Sequence, residues 1–218
     1  MIKAVIFDMD GLMFDTETLS KNLWQSIAQT RGYNLEDELF YELIGSDLET
    51  TTRIFKEKFG NEFPYDEIRK EKNIKMKDEI NKNGVPVKYG LKESLDFLKK
   101  NNIIKAVASS SPKETIEFYL QSANLEDEFD FIIGGDEVKE SKPNSEIFTK
   151  CCNKINIDKS EALILEDSIN GILAASKADI DVVLIKDVVE IPDEIKKLSF
   201  KELNHLGELP NFIKNKYY

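Results

Sequence analysis

The chain has 218 residues, 41% hydrophobic and 33% charged, enough to bury a full core as one large domain or as a core carrying an insertion. Lys and Arg total 30 against 41 Asp and Glu, a formal net charge of −11, which excludes a broad basic surface for nucleic acid or an anionic membrane. A bound anion must therefore meet a local positive field: a metal, one or two lysines, or a helix N-terminus.

The first element is the continuously apolar run Ala4–Phe7, which predicts a buried strand and ends in Asp8-Met9-Asp10-Gly11. Two carboxylates one residue apart repel each other, and open α/β sheets place ligands at this carboxyl edge. Gly11 permits a sharp turn that brings both into one cleft. Such a pair suits a divalent cation, or a nucleophile beside a general acid; a strand-ending loop with solvated aspartates is the plain alternative.

From Thr16 to about Asn83 helical patterns replace strands. Leu19, Leu23, Trp24 and Ile27 share one face, Leu39, Phe40, Leu43 and Ile44 a second, Ile54, Phe55 and Phe59 a third, and Ile68 through Ile80 a fourth, punctuated by Gly32, Gly45, Gly60, Pro64 and Gly84. The expected organisation is a helical cap over residues 16–83, read as a lid on the carboxylates, inserted into an α/β core of residues 1–15 and 84–218.

Strands are expected at Ile103–Ala108, Phe129–Ile133, Ala162–Leu165 and Val182–Ile185, with helices at Leu91–Lys100, Pro112–Gln121, Ser145–Asn153 and Ile169–Lys177. The alternation predicts an α/β fold with a doubly wound parallel sheet. Pro112 reads as a first-turn proline with Ser111 as N-cap. Cys151 and Cys152 are adjacent and read as reduced core residues. Neither a signal peptide nor a transmembrane run stands out, so a soluble, cytoplasmic protein is expected.

Three further strand ends carry polar groups. Ser109-Ser110-Ser111 can hold an oxyanion, though an N-cap cluster would look the same. Lys142-Pro143 follows Gly134-Gly135-Asp136, and the proline biases Lys142 away from helix and toward a fixed position. Glu166-Asp167-Ser168 repeats the acidic pair and doubles as a helix start. Together they describe a Mg²⁺-assisted phosphoryl site: carboxylates for a hard cation, hydroxyl and lysine for phosphate oxygens, and one carboxylate to attack.

In order, Asp8-Met9-Asp10-Gly11, Ser109, Lys142-Pro143 and Glu166-Asp167-Ser168 resemble the four signature motifs of the haloacid dehalogenase superfamily, and the resemblance spans essentially the whole chain. Phe7–Leu12 and Leu165–Gly171 are similar to the subgroup of β-phosphoglucomutase and small sugar-phosphate phosphatases, whose helical cap follows the first motif. The resemblance implies a Rossmann-like core in which Asp8 attacks phosphorus and Asp10 is acid and then base. It further implies that Mg²⁺ is held by Asp8, the Asp10 carbonyl and Asp167 with Glu166 close by, that Ser109, with Ser110 and neighbouring N–H groups, binds phosphoryl oxygens, and that Lys142 offsets the negative charge.

Asp10 argues against a dehalogenase, which lacks that acid. Mutases of this type use a cap histidine and a cap arginine where Ser20 and Leu48 stand here, and the sole histidine is His205. Lys72 falls near a phosphate-gripping cap lysine of the mutases and is a candidate substrate contact, or one more solvated lysine. A phosphatase of a small phosphorylated metabolite is thus the expected function, with the mutase as alternative and a catalytically idle metabolite-binding regulator as a second. Glu17, Thr16, Trp24, Tyr41 and Arg53 could face the substrate, although packing or surface roles suit them as well. A monomer without nucleic-acid or membrane partners is expected.

Overall fold

The computed structural model describes residues 1–43, 48–188 and 190–217. The chain divides into two compact units, Met1–Asp15 with Val85–Tyr218, and Thr16–Gly84.

The first unit is built on six strands, β1 (Ala4–Phe7), β2 (Ile104–Ala108), β3 (Phe131–Ile133), β4 (Ala162–Glu166), β5 (Asp181–Ile185) and β6 (Lys201–Leu203), in the order β3-β2-β1-β4-β5-β6 with every pairing parallel. It is the doubly wound sheet expected from the alternating pattern. Phe7 lies level with Val107 on one side and Leu165 on the other, so Asp8, Ala108 and Glu166 arrive at the same edge. The central strands β1 and β4 are apolar up to their carboxyl ends because both faces are covered. Ile6, Ala106, Ala108, Ile164, Val182 and Leu184 form a buried cluster with residues of α7 (Glu146–Ile155) and α8 (Ile169–Ala178), while α5 (Leu91–Lys100) packs on β2 and α10 (Leu209–Tyr217) packs on α5. The short helix α9 (Asp193–Lys196) lies against α8.

Two ends differ from expectation. The third strand starts at Phe131 rather than Phe129, because the Asp130 carboxylate accepts the Lys105 backbone N–H and Phe129 stands edge-on to Phe7. The sixth strand, three residues bearing Lys201 and Glu202, is too short and charged to stand out in sequence, yet its backbone completes the sheet beside β5. Cys151 and Cys152 are buried free thiols, as read. No helix among the described residues is long and apolar enough to cross a membrane.

The second unit holds α1 (Thr16–Thr30), α2 (Asp37–Leu43), α3 (Leu48–Phe59) and α4 (Tyr65–Asn83). Its core is aromatic: Trp24 stacks on Phe55 at 5.0 Å and on Tyr65 at 5.3 Å, and Phe55 stacks on Phe63 at 5.1 Å. Trp24 is therefore a core residue of this unit. Arg53 pairs with Glu57 on the exposed side of α3, and Lys72 stands on α4, half-buried. Ile44 and Gly45 lie outside the described residues, as do the side chains of Tyr41 and Leu48.

Candidate active site

The β1 strand ends as its pairing with β4 does, with the Asp8 N–H donating to Leu165 O at 3.0 Å. The chain then turns tightly: Met13 N–H returns to Met9 O at 2.9 Å, and Gly11 takes φ +83°, a left-handed conformation that costs glycine nothing. Gly11 is needed for space as well. A Cβ there would overlap the Asp167 carboxylate and stand 3.1 Å from Asp187 Oδ2.

Lys142 follows at the centre. Its ammonium donates to Asp8 Oδ1 at 2.5 Å, to Glu166 Oε1 at 2.6 Å and to Ala108 O at 3.0 Å, with the side chain 4% exposed and stacked over the Phe148 ring. An ammonium has three donors, and all three are taken by protein atoms. In this arrangement Lys142 is a fixed countercharge for Asp8 and Glu166, the charge-offsetting role that the resemblance implies.

Glu166 is fully buried, and its second oxygen accepts from the N–H groups of Asp167 and Ser168 at 3.1 and 3.2 Å and from the Ser168 hydroxyl at 2.9 Å. Ser168 also caps α8, accepting from Gly171 N–H at 3.0 Å, so the plain N-cap reading of this motif holds alongside the acidic cluster.

The serine run divides its labour differently from expectation. The α6 helix (Lys113–Ser122) is capped at Pro112 without a side-chain bond, so Ser111 is not its N-cap. Instead the Ser111 hydroxyl donates to Asp10 Oδ2 at 2.7 Å, while its N–H donates to Ser109 Oγ at 3.0 Å. Ser109 is buried and Ser110 is exposed. Sequence reasoning missed the Ser111–Asp10 pairing, although the three consecutive hydroxyls were its signal. It also passed over Asp187, which stands just past the carboxyl end of β5 as the other acids stand past β1 and β4.

One oxygen each of Asp8, Glu166 and Asp167 lies within 4.8 Å of the others. Three carboxylates against the single ammonium of Lys142 leave the cluster short of two positive charges. Burial pushes the Asp8 carboxyl up to about 8, with Lys142 pulling it down and Glu166 and Asp10 raising it. Burial likewise raises Asp167 well above the carboxylate range, aided by Asp8, Glu166 and Asp187. Asp167 Oδ1 is buried without a hydrogen-bond partner. A donor set of hard oxygens, an orphaned carboxylate oxygen and a deficit of two charges fit a divalent cation such as Mg²⁺.

Comparison with known proteins decides the family. The profile of haloacid dehalogenase-like hydrolases matches residues 5–185. The chain belongs to this family. It is 30% identical over 183 residues to the phosphorylated carbohydrates phosphatase of Thermotoga maritima, covering 83% of each chain. It is 26% identical over 179 residues to hexitol phosphatase B of Escherichia coli K12, covering 81% of this chain and 80% of that one. Among solved structures it is similar to β-phosphoglucomutase of Clostridium difficile, with a TM-score of 0.76, 27% identity and coverage of 100% and 97%. Within its family this hydrolase falls with the phosphatases.

Proposed function

We propose that this hydrolase is a Mg²⁺-dependent phosphatase of small phosphorylated carbohydrates that works through an aspartyl-phosphate on Asp8. The observation that carries the reading is the charge arrangement around Asp8: a buried carboxylate held by one fixed lysine, beside two further carboxylates. Asp8 and Asp167, with the Asp10 carbonyl, would hold the cation, and Glu166 would stand outside them because both its oxygens are engaged. When bound, the cation supplies charge neutralisation and keeps Asp8 ionised.

Asp8 Oδ1 is held by Lys142, so Oδ2 is the attacking atom. It forms a bond to phosphorus as the bond from phosphorus to the sugar oxygen breaks, and Asp10 gives its proton to that leaving oxygen. Asp10, now a carboxylate held by Ser111, takes a proton from water as the water oxygen attacks phosphorus. The bond from phosphorus to Asp8 then breaks, inorganic phosphate leaves, and both aspartates return to their starting states. Ser109 and the N–H groups beside it are assigned to the phosphoryl oxygens, with Ser110 at the exposed end of the same loop. Lys72 is kept as a candidate substrate contact of the helical unit, which we read as the cap over residues 16–83.

The likeness to a β-phosphoglucomutase favours a second reading, a sugar-phosphate mutase. Against it, Ser20 occupies the position where a mutase of this type needs its cap histidine, and the one histidine, His205, packs edge-on against Tyr89 at 4.8 Å in the sheet-bearing unit. Buried free thiols and the net negative charge suit a cytoplasmic monomer.

The test is phosphate release from a panel of hexose, hexitol and nucleotide monophosphates with MgCl₂, beside β-glucose 1-phosphate with a trace of β-glucose 1,6-bisphosphate. Release from one or a few carbohydrate phosphates, abolished in Asp8→Asn, is expected. Glucose 6-phosphate accumulating without phosphate release would make the enzyme a mutase.

A further inference from the structure

Beyond the carboxylates already assigned, an ion triad borders the same cleft. Lys88 Nζ lies 2.5 Å from Asp187 Oδ1 and 3.5 Å from Asp15 Oδ1, and the Asp187 side chain is 9% exposed. Asp15 and Lys88 are set beside each other by their backbones: Asp15 N–H donates to Pro86 O, Lys88 N–H donates to Met13 O, and Phe14 bridges Val87 in antiparallel fashion. Asp187 reaches the triad from the end of β5.

Asp187 has two faces. Its Oδ1 is engaged by Lys88, while Oδ2 lies over Gly11 in the space that Asp167 also borders. We infer that Asp187 is an outer carboxylate of the cation site whose charge is set by Lys88, so that the two residues tune cation affinity in opposite directions without ligating the ion. The inference rests on the cation reading above and extends it to residues outside the ligand set.

The electrostatic path is direct. Asp187 Oδ2 and Asp167 Oδ2 approach the same point beside Gly11, at 3.1 and 2.2 Å from where its Cβ would stand, and no side chain on Gly11 separates the two carboxylates. Lys88 is shared between two acids, so removing its charge leaves Asp187 and Asp15 as net negative charge beside the ion. Removing the Asp187 charge leaves Lys88 less balanced there. At separations of this order, a unit charge acting on a divalent ion through partly solvated protein shifts affinity by about five-fold.

The experiment is calorimetric titration of the metal-free protein with MgCl₂, a readout that needs no turnover. Asp167→Asn is expected to abolish binding. Asp187→Asn should bind about five-fold more weakly than wild type, Lys88→Met about five-fold more tightly, and the double variant close to wild type. Circular dichroism and thermal melts check folding, with Asp187→Ser and Lys88→Gln used where the first variants do not fold. A pair that merely braces the loop would weaken binding in both single variants, and that result overturns the inference. So does a change below two-fold in both. Wild-type protein that fails to bind Mg²⁺ would overturn the cation reading and this inference together. Loss of binding confined to Asp167→Asn would overturn this inference alone.

Discussion

Gly171 and Glu166 compete for one space: a methyl group on Gly171 would fall inside the Glu166 carboxylate. The carboxylate cannot easily yield, because one oxygen is held by Lys142 and the other by three donors at the start of α8. The glycine in the first turn of that helix is thus part of how Lys142 is aimed at Asp8. Gly171→Ala is expected to swing Glu166 out, cost about 1–3 kcal/mol of stability, and lower kcat/KM by about 10²-fold. Thermal melts and steady-state kinetics check both. Unchanged activity would mean that Lys142 keeps its aim without Glu166.

Lys142 stands between two buried carboxylates, and its own charge is secured by them: burial works to lower its pKa, yet Asp8 and Glu166 raise it above the ordinary lysine value. Lys142→Met leaves those carboxylates unpaired, a loss of about 3–5 kcal/mol where an ion pair is fully desolvated. Asp8, which burial already pushes up, would lose the one side chain that pulls its carboxyl down, so less of it would stand as the ionised nucleophile at neutral pH. Activity is expected to fall by at least ~10³-fold. Lys142→Arg should retain the fold better than Met while remaining poorly active, since its planar fork cannot place three donors as the ammonium does.

Half-buried Ser111 and exposed Ser110 are separable. Ser111→Ala removes the donor to Asp10 Oδ2, whereas Ser110→Ala removes an exposed hydroxyl. The first is expected to lower kcat by about ten-fold, because Asp10 loses the bond that holds its carboxyl in place while it exchanges a proton with the leaving oxygen and with water. The second should stay within two-fold. Equal effects would return the serine run to a generic phosphate loop.

Most of the sheet was readable because buried parallel strands are continuously apolar, and Asp8, Ser109 and Glu166-Asp167 each stand at a strand end, with Lys142 in the turn between β3 and α7. What escaped was side-chain direction. Nothing in Ser-Ser-Ser-Pro says that the third hydroxyl turns back to Asp10 while the second faces solvent. Nor does sequence say that the Lys142 ammonium meets Asp8, Glu166 and Ala108 O at once, which depends on Glu166 being wedged beneath Gly171. Asp187 and Lys88, 99 residues apart, meet only through the fold.

Acid stability is set in part away from the site, at Glu128. Lys105 lies mid-strand in β2 with its side chain 7% exposed, and its ammonium donates to Glu128 at 3.0 Å, while Lys99 takes the other Glu128 oxygen. These bonds hold the Glu128 carboxyl below the ordinary glutamate value. A carboxyl whose folded pKa is depressed stabilises the fold above its unfolded pKa, about 4.3, and loses that contribution as pH falls through the folded value. Wild type should therefore lose Tm progressively below about pH 4.3, in part through this pair. Glu128→Gln, which leaves the Lys105 ammonium with a neutral acceptor, is expected to cost about 1–2 kcal/mol at pH 7, less than a fully desolvated pair because Glu128 is 25% exposed. Its Tm should then fall less steeply than wild type between pH 5 and pH 3. Parallel pH–Tm curves for the two proteins would show that Lys105 is held by the strand rather than by Glu128.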